Sequence, residues 1–104
     1  MFRRSRGTES SKALAQDGDD LGSLIWYGYD GGTERTGDFE PFGESAAIVV
    51  EADADHGTTG GVTDTTDSPG RIKFQTTADG ADTSTVRMVI KSDGKVGIGT
   101  TSPT

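Results

Sequence analysis

An all-β fold is predicted by three observations. Apolar residues recur at every second position, Gly and Asp punctuate the runs between them, and no helical period is sustained anywhere. The stretch Pro69–Pro103 shows this best. Ile72, Phe74 and Thr76 alternate with Arg71, Lys73, Gln75 and Thr77. Val86, Met88 and Ile90 alternate with Arg87, Val89 and Lys91, and Val96 and Ile98 with Gly97 and Gly99. Such alternation marks strands with one buried and one wetted face. Strands are expected near 21–29, 46–53, 71–77, 86–91 and 95–99. They would form a small antiparallel sheet or sandwich, or a β-fibre module intertwined or packed as a trimer.

Taken in order, residues 1–20 read as an N-terminal arm and 21–104 as the β-module. The arm opens with the basic cluster Arg3, Arg4 and Arg6 and ends in the acidic run Asp17-Gly18-Asp19-Asp20. A helix around Lys12–Gln16 would be far too short to stand alone. In Leu21–Tyr29 the residues Leu21, Ser23, Ile25, Tyr27 and Tyr29 share one face, while Leu24 and Trp26 share the other. Both faces thus carry large apolar groups, which suggests burial on two sides or a subunit contact. Thr33–Glu44 has no period and reads as a loop anchored by Phe39 and Phe42.

Ala46–Asp53 is the second strand, with Ile48 and Val50 on one side and Val49 and Glu51 on the other. His56–Ser68 is a Gly/Thr/Asp-rich loop leading to Pro69-Gly70. Ala78–Thr83 connects the third and fourth strands as a longer hairpin loop. Ser92-Asp93-Gly94-Lys95 contains the Asp-Gly pair favoured in type I′ turns, whose two central residues both need positive φ.

Composition limits what such a sheet can do alone. Hydrophobic residues make up 30% of the 104, against a globular apolar share of roughly 45–50%. A single copy would have a thin core, and oligomerisation would supply the missing buried area. Low apolar content with a net charge of −7 is also the direction of unfolded chains, but the strand period and the turn residues agree with each other. The negative charge argues against nonspecific nucleic-acid binding. No apolar run approaches the ~20 residues of a membrane span. There is no cysteine, hence no disulfide or thiolate site.

Candidate chemistry is sparse. Asp17-x-Asp19 followed by Gly22 superficially opens an EF-hand loop, but Leu21 and Gly28 occupy ligand positions. Asp53, Asp55 and His56, with Asp64 and Asp67, could gather a hard cation adventitiously; the plainer reading is a solvated loop that guards a sheet edge. His56 is the sole histidine and no G-x-S-x-G elbow presents a nucleophile. Acidic residues are too numerous for any one pair to point to a glycosidase. Gly97-Ile98-Gly99 lacks a third glycine and a following helix, so it reads as a close approach of strands or subunits. The aromatics Trp26, Tyr27 and Tyr29 could face sugar C–H groups, although core or interface packing weighs more heavily.

Several phrases, taken together, resemble a family of phage tail-fibre and virion-appendage modules. They are Arg4-Ser5-Arg6-Gly7-Thr8, Asp19-Asp20-Leu21-Gly22-Ser23-Leu24, Tyr27-Gly28-Tyr29-Asp30-Gly31, Ala46-Ala47-Ile48, and the Pro69–Pro103 stretch with its closing Val96-Gly97-Ile98-Gly99-Thr100-Thr101-Ser102-Pro103. They fall in the family's order along nearly the whole chain. In such proteins the module sits in trimeric fibres, commonly followed by an endosialidase-type intramolecular chaperone; these 104 residues do not include that domain.

The resemblance implies a structural or adhesive virion component without catalysis, cofactor or metal, made in the host cytoplasm. It would be a fibre, a fibre-tip module or a capsid decoration. Its expected partners are further copies of itself as a trimer, other virion proteins and a host-surface glycan, with no nucleic acid and no membrane insertion. A stand-alone carbohydrate-binding module is the alternative, and a small hydrolase ranks third. Phe39, Phe42, His56, Asp64 and Asp67 are the candidate recognition residues. Leu24, Trp26, Val49, Gly97 and Gly99 are the candidate oligomer interface.

Overall fold

The computed structural model describes residues 6–7, 12–31 and 42–104. Its strands are β1 (Arg6–Gly7), β2 (Lys12–Ala13), β3 (Asp20–Tyr29), β4 (Phe42–Ala52), β5 (Thr58–Thr59), β6 (Val62–Thr63), β7 (Gly70–Thr76), β8 (Thr85–Ile90) and β9 (Val96–Ile98). No helix occurs among the described residues. The architecture is an antiparallel five-stranded sheet in the order β3-β4-β7-β8-β9, with β1-β2 and β5-β6 as two small ribbons. Each strand of the sheet pairs with the next long one in sequence, so the expected strands are all present within a few residues of their predicted bounds.

Three irregularities depart from the alternation. A bulge between Trp26↔Ala46 and Tyr27↔Glu44 leaves Ser45 unpaired, and β4 begins at Phe42 rather than at 46. The extra residue breaks the period of two, which is why Phe42–Ser45 read as loop. A second bulge at Arg87 places Val86 opposite Gln75, so Val86 leaves the face of Met88 and Ile90 on which simple alternation puts it. A third makes Leu21 the extra residue between Asp20↔Glu51 and Gly22↔Val50.

Turn chemistry also differs in one place. Only Gly94 of the Asp93-Gly94 pair has positive φ, at 83°, and its amide donates to the Lys91 carbonyl at 2.9 Å. This is a type I turn closed by a glycine bulge, not the type I′ turn. The Asp93 carboxylate instead accepts the Lys95 amide at 3.0 Å, which the positive-φ conformation is not needed to achieve. The two-residue turn with both φ positive lies at Gly60-Gly61, between β5 and β6, inside the segment that reads as a plain loop.

Register sorts the side chains into two faces. On one stand Leu24 and Trp26 from β3, Ile48 and Val50 from β4, and Ile72 and Phe74 from β7. Met88 and Ile90 from β8 and Val96 and Ile98 from β9 complete it. None of these side chains is charged. On the other face stand Ala47, Val49 and Glu51, then Arg71 and Lys73, then Val89, then Gly97.

The face that is covered, from β4 to β9, is the second one; Ile25 and Tyr27, which β3 adds to it, stay exposed. Val89 is 1% exposed, and Ala47 and Glu51 are buried, whereas Leu24, Trp26, Val50, Ile72, Val96 and Ile98 on the apolar face are all exposed. The cover comes from the chain's own ends. Gly18 donates to the Ala52 carbonyl and Ala52 to the Asp19 carbonyl, each at 2.9 Å, and Ala15 is buried where its carbonyl accepts the His56 amide at 2.8 Å. Residues 12–19 are therefore part of the fold and not helical. At the other end, Gly99 donates to the Arg87 carbonyl at 2.8 Å and Thr100 folds back over Gly97 and Val89.

A Cβ on Gly97 would lie 2.4 Å from the Thr100 carbonyl oxygen and 3.2 Å from Val89. Gly97→Ala must displace the C-terminal segment and is expected to cost about 1–3 kcal/mol, as overpacking does. Chemical denaturation measures it; an unchanged midpoint would mean that Thr100 does not pack there.

Candidate functional site

Glu51 and Asp53 stand two residues apart on the covered face, at the end of β4. Arg71, the cross-strand partner of Glu51, donates to its Oε2 through Nε and Nη2, both at 2.8 Å, and Lys73 pairs with Oε1. Asp53, whose side chain is 2% exposed, accepts from Arg71 Nη1 at 3.0 Å and Lys91 Nζ at 2.5 Å. Its second oxygen takes the Ser92 amide and hydroxyl at 2.9 and 2.8 Å. The network thus ties the β4 end to β7, to β8 and to the β8–β9 turn. Arg71 also reaches Asp17 at 3.4 Å, joining the N-terminal segment.

Burial alone would push both carboxyls up. For Asp53, hydrogen bonds from Lys91, Ser92 and Arg71 outweigh it and hold the group well below the usual carboxylate range. For Glu51, hydrogen bonds and charge from Lys73 and Arg71 likewise win. These groups are consumed by one another, which makes the cluster structural. A buried network of this kind holds register because every member is satisfied; no buried side-chain polar atom among the described residues lacks a partner.

The sequence-predicted recognition residues do not converge on a site. Phe39 lies outside the described residues. Phe42 is not in a loop but opens β4, where it pairs with Tyr29. His56 bonds through Nε2 to the Pro69 carbonyl at 3.0 Å and lies 3.4 Å from the Ser68 hydroxyl at Nδ1. Asp64 accepts from the Thr66 hydroxyl at 2.7 Å, the Thr66 amide at 3.1 Å and the Thr59 hydroxyl at 2.9 Å, which lower its pKa. Asp67 closes the same loop through its backbone, accepting the Gly57 amide at 3.1 Å. Segment 53–69 is thus internally latched.

Of the cation reading's residues, the carboxylates of Asp53, Asp55 and Asp64 and both ring nitrogens of His56 are engaged by such bonds. Asp55 accepts the Asp17 amide at 2.9 Å, and no group of three or more metal-ligating side chains is assembled among the described residues.

The candidate interface residues divide as well. Leu24 and Trp26 share the open apolar face, but Val49 and Gly97 stand on the opposite, covered face. Gly97 is buried by its own chain, and Gly99, at φ 72°, ends β9. The aromatic trio is split in the same way, because Trp26 faces away from Tyr27 and Tyr29.

Among the described residues, two surfaces stand out as places to meet a partner. The first is the apolar face, including a depression of about 370 Å³ where the bulged Leu21 joins Leu24, Ile48 and Val50. Its signal was the alternation itself. The second lies at the far end of β3 and β4. Tyr29, 71% exposed, meets Phe42 edge-to-face at 5.9 Å, and Tyr27 follows on the same face. Beside it a groove of about 360 Å³ is lined by Tyr29, Asp30, Glu44, Ser45, Asp79 and Asp82, among others. Sequence could not reveal that pairing, since the Ser45 bulge hid it.

No protein-family model matches the chain, and no curated protein matches it either.

The ion-pair network has a pH signature. Both carboxyls have native pKa values below their ordinary ones, so their stabilisation is full above the unfolded range and lost as pH falls towards the depressed native values. The thermal midpoint should stay level down to about pH 5 and drop below it. Asp53→Asn should cost about 3–5 kcal/mol at neutral pH, because Lys91 and Arg71 lose their buried counter-charge. Its acid slope should also be shallower. Thermal melts from neutrality to acid compare the two, and equal acid slopes would remove Asp53 as a titrating contributor.

Proposed function

We propose that the protein is a structural and adhesive component of a phage particle, acting by assembly and surface presentation, without turnover. The observation that carries this reading is the chain-wide order of tail-fibre-like phrases, from Arg4-Ser5-Arg6-Gly7-Thr8 to the closing Gly97-Ile98-Gly99-Thr100-Thr101-Ser102-Pro103. The all-β sheet suits it, as does an apolar face that one copy leaves uncovered. In this reading the chain is a homo-oligomer, with a trimer as the form the resemblance implies, and its contacts are other virion proteins and the host surface.

A stand-alone carbohydrate-binding module is the second reading, favoured by the Tyr29–Phe42 pair beside the acidic groove. Aromatic faces take sugar C–H groups and carboxylates accept sugar hydroxyls.

Two measurements separate these readings. The virion reading expects the protein to copurify with particles through a density gradient, and antibodies against it to block adsorption. Absence from purified particles overturns it; presence with undiminished adsorption removes the adhesive half. The carbohydrate reading expects the isolated protein to bind immobilised glycans and Tyr29→Ala to abolish binding while leaving the melting temperature unchanged.

A further inference from the structure

The geometry points to the open apolar sheet face as the surface on which copies of this chain pack against one another, sheet on sheet, so that the second layer of the fold is supplied by another copy. This rests on the homo-oligomer reading and adds the surface that builds it.

The first argument is architectural. Stable domains pack at least two layers of secondary structure around a core, whereas the five-stranded sheet here is a single layer. Among the described residues, the apolar ones that one copy buries are Ala15, Ala47, Ala52 and Val89, three of them alanines. Of the large side chains that alternation sends to the other side, Leu24, Trp26, Val50, Ile72, Val96 and Ile98 stay exposed, Trp26 at 51%, while Ile48, Phe74, Met88 and Ile90 are half-buried.

The second argument is area. A compact monomer of 10.8 kDa exposes about 5,500 Å², and this chain exposes 7399 Å². Chain-wide the surplus is about 1,900 Å², and on the sheet itself Leu24, Trp26, Val50, Ile72, Val96 and Ile98 stay exposed together on one face, where a standard interface asks ~800 Å² of each partner.

The occupant follows from charge and from folding. Each copy carries a net charge of −7, yet the ion pairs of Glu51 and Asp53 stand on the covered face, and beside the ten apolar side chains of the open face only the Arg87 guanidinium is placed among the described contacts, donating to Thr76 at the strand ends. Identical copies can therefore meet through those apolar side chains with few like charges brought together. A sheet that lacks its second layer needs that layer while it folds, and an identical chain is always present in equal number. Packed sheets sit about 10 Å apart with interdigitated side chains, and closed symmetry is the usual outcome.

Light scattering on the full chain tests this. The wild type should have a mass of at least twice 10.8 kDa, at a whole multiple of it, at micromolar concentration. Leu24→Asp and Val96→Asp, near opposite edges of the sheet and already exposed in one copy, should each weaken association by roughly a hundredfold, since an unpaired charge would be buried in the contact. As the chain has no cysteine, a second measurement needs no intact charge variant. Val50→Cys, on the apolar face, should lose reactivity to a maleimide in the oligomer, while Tyr29→Cys on the other face keeps it.

A folded wild-type monomer overturns both this inference and the homo-oligomer reading. An oligomer that tolerates both aspartates, or in which Val50→Cys reacts as fast as Tyr29→Cys, overturns the inference alone.

Discussion

A five-stranded antiparallel sheet has two faces, and its register decides which side chains stand on each. Everything else in this protein follows from how the two faces are treated. One holds Glu51, Asp53, Arg71, Lys73 and Lys91 and is covered by the chain's own ends; the other holds the large apolar side chains and is left open. The usual arrangement puts the apolar face in the core of the same chain. Here the inversion is possible because the ionic side chains satisfy each other closely enough to tolerate burial, while Thr100 and the Leu14–Asp19 segment exclude water around Val89 and Ala15.

Such a network contributes specificity more than net stability. Desolvating charges costs about what their attraction returns, so a buried ion pair is weak support for a fold by itself. What it does well is penalise alternatives. Slipping β7 by one residue against β4 would move Arg71 and Lys73 onto the apolar face and strand Glu51 without a partner. Hydrophobic contact is non-directional and would tolerate several pairings of a short, Gly-rich strand set. The charges therefore fix the register, and the apolar face remains a smooth surface for packing.

The strands are legible in the sequence because period two survives wherever no residue is inserted: Ile72 and Phe74, Met88 and Ile90, and Val96 and Ile98 each keep to one side of their strand, and the register brings the three pairs onto one face. The losses trace to bulges. Ser45 concealed the start of β4 and with it the Tyr29–Phe42 pair, and Arg87 moved Val86 across the sheet. The ion-pair cluster was out of reach for a different reason. Asp53 meets Arg71 and Lys91 at separations of 18 and 38 residues, and acidic residues next to a lone histidine suggest a cation site until the sheet order is known. The loop residues His56 and Asp64 had the composition of a recognition surface, yet their hydrogen-bonding groups are taken up within the same segment by Pro69, Thr59 and Thr66.

The division of labour between the faces also bears on how assembly and folding are ordered. The turn contacts that a hairpin can make early are local: Gly94 to Lys91, Gly60-Gly61 between β5 and β6, Ala81 to Ala78. The ion pairs of Asp53 with Arg71 and Lys91 and its hydrogen bonds from Ser92 close only when β4, β7 and β8 are aligned, so they certify the finished sheet of one copy. In the proposed assembly, packing between apolar faces would add area without adding any directional demand, and it would therefore follow alignment without having to specify it. A chain whose charges already define its register presents one apolar surface, rather than an ensemble of slipped ones, and that is the physical condition any homogeneous contact through this face would require.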